Sequence, residues 1–343
     1  MIIGLIAFCL YLYFFVGLAE LSSVLMKLNP IDYAIFYSLA IVGTLLSYLL
    51  LSAAWQTLLN ALSIKTRLKN LFLYTWVGNF IDLIVPCQAV CGEVTRIYLV
   101  RKDEGRNYGA IAASSIANRI INYIISSFGL LVGVVLLLSR SEANPPLLLD
   151  LLIIALIGTV IYLIILFYLA FDEKAPKKIA IAIFRVFKAL RLKRFSPEDL
   201  SKKSEYALTA FHQGFQTLRK SPKNMVKPAV FQLLSLLLNI SIYILVFYSL
   251  GYKIIHIDFF IIAYFVVGTV QIAAGVFSVG TLEIILTNLF VLYGVPIGLS
   301  GLAATVLRFL TFWLPILVGY VTVHVVGARS LLNPKAREKL ETR

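Results

Sequence analysis

Apolar runs of about twenty residues, separated by short charged breaks, recur along the whole chain and limit its fold more than any other feature. Candidate spans fall near residues 2–19, 33–54, 109–138, 147–171, 226–250, 259–279, 282–297 and 299–327. A helix needs roughly 20 residues to cross a hydrocarbon core of about 30 Å. Composition agrees, with 60% of the 343 residues hydrophobic, 14% charged and a mean hydropathy of +0.90. A soluble domain averages about 25% charged residues. The expected fold is all-α, a polytopic integral membrane helical bundle of about eight transmembrane helices. It forms one domain over 1–328, followed by a basic cytoplasmic tail at 329–343.

The first run, IIGLIAFCLYLYFFVGLA, has neither a basic n-region nor a small-residue cleavage site and reads as a retained helix. Lys and Arg set the orientation of the rest. The connection 172–224 holds thirteen basic residues against five acidic ones, a net +8. Lys65, Arg67 and Lys69 follow the second span, Arg101, Lys102 and Arg106 precede the third, and Arg329, Lys335, Arg337, Lys339 and Arg343 crowd the tail. The intervening loops are nearly bare, with one Arg in 139–150, one Lys in 251–258 and no charge in 294–298. The formal charge of +14 is therefore a topological signal for a multi-pass protein of the cell membrane with both termini cytoplasmic. It is not a nucleic-acid signal.

That topology holds only if the segment near 71–90 enters and leaves on the same face. The stretch NFIDLIVPCQAVCGEVTRIYLVRK, residues 79–102, places Asn79, Asp82, Pro86, Gly92, Glu93 and Arg96 beside long apolar runs. Pro86 removes a backbone donor and disfavours helix at the residue before it. Irregular backbone at membrane depth survives only where protein or a watery cavity covers it. The segment reads as re-entrant, the alternative being a ninth, kinked span. In the cytoplasmic connection, Ile179, Ile183, Phe184, Phe187 and Leu190 lie opposite Lys and Arg at helical spacing. This fits a basic amphipathic helix on an anionic leaflet or simple positive-inside charge.

Charges inside spans carry the functional signal, because one at the bilayer centre costs about 2.5–3.5 kcal/mol on insertion scales. Arg119, in ASSIANRIINYI, either snorkels to the cytoplasmic edge or pairs with Asp82 or Glu93. Arg308 starts about ten residues into the last span, roughly 14 Å deep, and Glu283 of the preceding span is its natural partner. A structural ion pair is one reading of these two. Buried pairs stabilise weakly once desolvation is counted, so a hydrated polar cavity accounts for them better. The two polar regions also echo each other, each with an apolar run, a break and a Gly-to-Glu turn, in CGEVTR and VGTLEI. Gly92, Gly275 and Gly280 would allow the breaks. Broken helices at matching places in two halves point to a transporter binding site, and Arg suits phosphate through its planar fork of donors.

Other chemistries are poorly represented. The three cysteines are too few for a disulfide framework, and Cys87 and Cys91 read as small packed residues. Three scattered histidines make a zinc site a poor fit. There is no G-x-S-x-G, P-loop, H-E-x-x-H or Asp-rich motif, so no cofactor and no enzymatic activity are expected.

These residues bring a family into view. The chain resembles the lysylphosphatidylglycerol synthase transmembrane-region family, which includes the flippase portion of the multiple peptide resistance factor. The resemblance is carried by residues 79–102, by ANRIINYI, and by GTLEIILTNLFVLYGVP followed by VLRFLTFWLPILVG. Pro86, Gly92, Glu93, Arg96, Arg119, Gly280, Glu283, Arg308, Thr311, Trp313 and Pro315 match family positions. The family's Gly-rich stretch before the first Gly-Glu is replaced by CQAVCGE, and the Pro before the second break by QIAAG. With the chain ending at Arg343, lipid aminoacylation is not implied. What the resemblance does imply is translocation of a lipid or lipid-linked substrate.

The expected function is a flippase-like transporter for an anionic phospholipid, glycolipid or polyprenyl-phosphate-linked molecule. Its expected substrate-binding residues are Asn79, Asp82, Glu93, Arg96, Arg119, Glu283, Arg308 and Thr311. Structural breaks are expected at Pro86, Gly92, Gly275, Gly280 and Pro315. The expected partners are membrane lipids with anionic headgroups. A membrane enzyme using Glu93 or Glu283 as base and a non-catalytic scaffold are the alternatives.

Overall fold

The computed structural model describes residues 6, 9–85, 90–105, 107–139, 146–171, 197–220, 222–253, 257–274 and 278–332. Pro86, Gly275, the amphipathic stretch 179–190 and residues 333–343 of the tail lie outside the described residues. The helices are α1 (Leu18–Lys27), α2 (Pro30–Ala61), α3 (Leu68–Ile84), α4 (Val90–Glu104), α5 (Tyr108–Leu138), α6 (Pro146–Phe171), α7 (Pro197–Lys220), α8 (Lys223–Ser249), α9 (Ile257–Ala274), α10 (Ser278–Leu292), α11 (Ile297–Arg308) and α12 (Leu314–Leu332). Five-residue π turns occupy Leu12–Val16 and Phe309–Trp313. Among the described residues there is no strand, and the chain is an all-α polytopic membrane protein.

Local chemistry sets the boundaries. Asn29 caps α2, its side chain accepting the Ile31 N–H at 3.0 Å, with Pro30 at the first helical position, where its missing donor costs nothing. Asn29→Ala is expected to lower stability by about 1 kcal/mol, read as a lower thermal midpoint in detergent. The π turn between α11 and α12 sits where Pro315 offers no N–H to the Thr311 carbonyl and would crowd it. An extra residue in the turn relieves that clash.

Among the described residues, four helical stretches are long and apolar enough to cross a membrane: Pro30–Ala61, Tyr108–Leu136, Lys223–Ser249 and Ile297–Gly327. Their outward faces invert the rule for soluble proteins. On α2, Ile31, Ile35, Leu39, Val42 and Leu46 recur at helical spacing and are 42–67% exposed. Comparable stripes run along α5 (Ile124, Phe128, Leu131, Val135, Leu138) and α8 (Val226, Val230, Leu233, Leu237). Such contiguous apolar faces belong against lipid.

Inside the bundle, α2 and α8 pack antiparallel, as Phe36 meets Tyr248, Gly43 meets Ile242 and Ser47 hydrogen-bonds Ser235 at 2.8 Å. Lipid tails are as apolar as Leu, so close packing at small residues and polar links hold such helices together. The long basic connection returns as α7, which lays Phe211, Phe215 and Leu218 against Leu58, Ala113 and Ile120.

Four helices, α3 with α4 and α9 with α10, pair as two hairpins. In the first, α3 and α4 run antiparallel: Asp82 meets Gly92, Gly78 meets Arg96, and Tyr74 donates to Asp103. At 17 and 15 residues the arms are about 25 and 22 Å long. Lys65, Arg67, Arg101 and Lys102 flank the open end, so the hairpin begins and ends at one face, as the re-entrant reading requires. The second hairpin was not foreseen. Residues 259–279 and 282–297 correspond to α9 and α10, which run antiparallel with Phe259 packed on Phe290 and Tyr293 at the open end. The turn lies at Val279 (ψ 128°) and Gly280, whose φ of 88° and ψ of −53° suit a residue without a Cβ.

Candidate functional site

Both hairpin tips meet a long helix partway along its length. Arg119 is the twelfth residue of α5 and Arg308 the twelfth of α11, each about 17 Å from the start of its helix. Each arginine meets a glutamate from the first turn of a hairpin's second arm. Arg119 Nη2 lies 3.1 Å from Glu93, 26 residues earlier, and Arg308 Nε lies 3.0 Å from Glu283, 25 residues earlier. The hairpins flank opposite loops, so the same device is built twice, from opposite faces. Inverted repeats of this kind are common in transporters.

At the first tip the sequence dictates close approach. A Cβ on Gly92 would overlap the Gly78 carbonyl and the Asp82 carboxylate, and one on Gly78 would overlap the Arg96 side chain. With both glycines in place, Asp82 accepts the Gly92 N–H at 2.7 Å and caps the first turn of α4. Glu93 accepts from Arg96 Nη1 at 3.1 Å, from Arg119 and from the Ser115 hydroxyl. Arg96 Nη2 is 3.9 Å from Asp82, and Arg119 Nη1 donates to Tyr162 at 3.2 Å. The four charged side chains keep 13–20% of their surface exposed, so the cluster is enclosed but reachable.

The second tip is sealed. Glu283 accepts the Gly280 N–H at 2.7 Å, the reach-back of a capping box, and the Arg308 guanidinium lies 4.4 Å from the Phe312 ring centroid. The paired side chains are only 2% and 4% exposed. A hydrated pocket around this pair, expected from sequence, is therefore not found. The Phe312 ring lies against the guanidinium instead.

The expected residues thus divide. Asp82, Gly92, Glu93, Arg96 and Arg119 gather at one tip, with Arg119 paired to Glu93 instead of reaching the membrane edge. Gly280, Glu283 and Arg308 gather at the other. Asn79 is half-buried on α3, one turn before Asp82, and makes no side-chain hydrogen bond among the described residues. The Thr311 hydroxyl is held by the Leu307 carbonyl at 3.0 Å. Pro315 is buried in the first turn of α12. Sequence reasoning missed Gly78, Ser115 and Tyr162. The first two lie one helical turn before Asp82 and Arg119, a spacing that could have exposed them, while nothing local marks Tyr162. Cys91, read as a space-filling residue, is disulfide-bonded.

Spanning helices, outward apolar stripes and two charged hairpin tips define a multi-pass membrane protein. The chain belongs to the Lysylphosphatidylglycerol synthase TM region family, which matches residues 1–319. It is similar to a UPF0104 membrane protein of Methanothermobacter thermautotrophicus, at 24% identity over 99% of this chain and 97% of the relative. It is also similar to UPF0104 membrane protein PH1989 of Pyrococcus horikoshii, at 23% identity over 84% of this chain and 86% of that one. The MJ1595 protein of Methanocaldococcus jannaschii is 23% identical over 93% of this chain and 92% of its own length. No solved structure matches.

Proposed function

We propose that the protein is a flippase-like transporter that carries an anionic lipid or lipid-linked molecule across the bilayer. The reading rests on one observation above others: a reachable Asp82–Glu93–Arg96–Arg119 cluster ends a hairpin partway along α5. The family assignment to a membrane region associated with lipid chemistry agrees with it. Arg96 and Arg119 offer planar donor forks to a phosphate, while the acyl chains stay in lipid along the apolar faces. In this scheme the phosphate takes the place of the Glu93 carboxylate on the two guanidiniums, and Ser115 and Tyr162 hold the displaced groups in register.

The test is leaflet exchange of fluorescent phosphatidylglycerol in vesicles containing the purified chain. Arg119→Ala is expected to slow exchange about tenfold or more, since hydrogen bonds to charged groups are worth about 1.5–3 kcal/mol. Wild-type vesicles that exchange the probe no faster than protein-free ones would refute transport of this lipid class.

A further inference from the structure

The two guanidiniums of the first tip converge on a single oxygen. Arg96 Nη1, from the same helix, and Arg119 Nη2, from α5, each lie 3.1 Å from Glu93 Oε2. The other carboxylate oxygen, Oε1, accepts the Ser115 hydroxyl. Oε2 thus stands where an oxygen of a bridging phosphate would stand, between two planar donor forks. Asp82 is placed differently. It accepts the Gly92 N–H at 2.7 Å and stays 3.9 Å from Arg96 Nη2, so an anion arriving between the guanidiniums leaves that cap in place.

The formal charges at the tip cancel as they stand. Two carboxylates face two guanidiniums, and among the described residues no other cation lies within 4 Å of Glu93 or Asp82. The other ionisable groups packed around the cluster are phenols. Tyr162 of α6 accepts from Arg119 Nη1 at 3.2 Å, and the ring of Tyr123 of α5 lies 4.6 Å from that of Tyr162. A bound phosphodiester brings one further negative charge and no counterion. An uncompensated charge taken out of water is costly enough that a titratable group neutralises instead. The group at hand is the carboxylate that the phosphate has displaced. It retains only Ser115, whose hydroxyl can donate or accept.

We infer that headgroup binding loads one proton onto Glu93, so that each phosphodiester crosses with one H⁺ and the transported unit is electrically neutral. The inference rests on the proposed transport function and adds its coupling. The proton comes from water through the opening that admits the headgroup and forms an O–H bond on Oε2. It leaves when the phosphate departs and Glu93 re-forms its two ion pairs. A proton gradient then drives the lipid, while the membrane potential exerts no net force on the neutral unit.

The test is calorimetric binding of short-chain phosphatidylglycerol to the purified chain near neutral pH, in buffers of different ionisation enthalpy. The wild-type chain is expected to take up about one proton per lipid bound. Its affinity is expected to fall about tenfold per pH unit as pH rises, because the complex holds a proton that the free protein does not. Glu93→Gln keeps the shape of the side chain but cannot ionise, so it is expected to bind with no proton uptake and no pH dependence. Wild-type binding without proton exchange in every buffer would overturn the coupling and leave transport standing. That series decides the matter even if the variant does not fold. Uptake that persists in Glu93→Gln would overturn the assignment to Glu93. No binding by the wild-type chain would overturn both the coupling and the phosphate site on which it rests.

Discussion

Arg308→Ala is expected to destabilise the protein by about 3–5 kcal/mol, the usual result of stranding one member of a buried ion pair. The guanidinium is 2% exposed, with Glu283 at 3.0 Å and the Phe312 ring centroid at 4.4 Å. Its removal leaves a carboxylate with no cation and a cavity beneath an aromatic ring. The measurement is thermal unfolding in detergent, read with the yield of monodisperse protein. Glu283→Leu combined with Arg308→Met keeps volume while deleting both charges, so it is expected to recover most of the loss. Recovery will fall short by about 1 kcal/mol, because Glu283 also caps the Gly280 N–H at 2.7 Å. A double variant no more stable than Arg308→Ala would show that the pair contributes something beyond mutual neutralisation.

Gly92→Val is expected to be the most damaging change at the first tip. The added carbons would overlap the Gly78 carbonyl and the Asp82 carboxylate, neither of which can move without parting α3 from α4. Overpacking of this kind costs about 1–3 kcal/mol, and the 2.7 Å bond from Gly92 to Asp82 is lost with it. Separated arms carry Glu93 and Arg96 away from Arg119, so phosphatidylglycerol exchange is expected to fall to the protein-free rate. Gly158 on α6 provides the contrast. A Cβ there meets nothing within 4 Å, so Gly158→Ala is expected to be neutral or to gain up to about 1 kcal/mol from helix propensity.

Much of this architecture was written in the chain. Loop charge implied that residues 71–90 return to their own face, and α3 and α4 do so. The pairing of Glu283 with Arg308 followed from depth and adjacency, since no charge so far inside lipid goes unmatched. Two things were not legible. Residues 259–279 and 282–297 read as two apolar spans, and nothing in their pattern announced that the backbone at Gly280 would turn Glu283 onto Arg308 as Gly92 sets Glu93 on Arg119. The sealing of that hairpin's tip was equally hidden. Phe312 stands one turn after Arg308 and shares its face, but that its ring lies on the guanidinium and shuts out a pocket is set by tertiary packing that no local pattern displays. Tyr162 was missed for a related reason: its role exists only where α6 crosses α5.

The two hairpins have a mechanical consequence. Each joins the rest of the bundle by chain at its open end alone, and its tip is tied by side chains. The first is gripped at its tip by Arg119 and the second by Arg308. Each two-helix unit is therefore held far from its open end by an ionic contact to a neighbouring helix, so the charge state of Glu93 or Glu283 is coupled to where a whole hairpin rests.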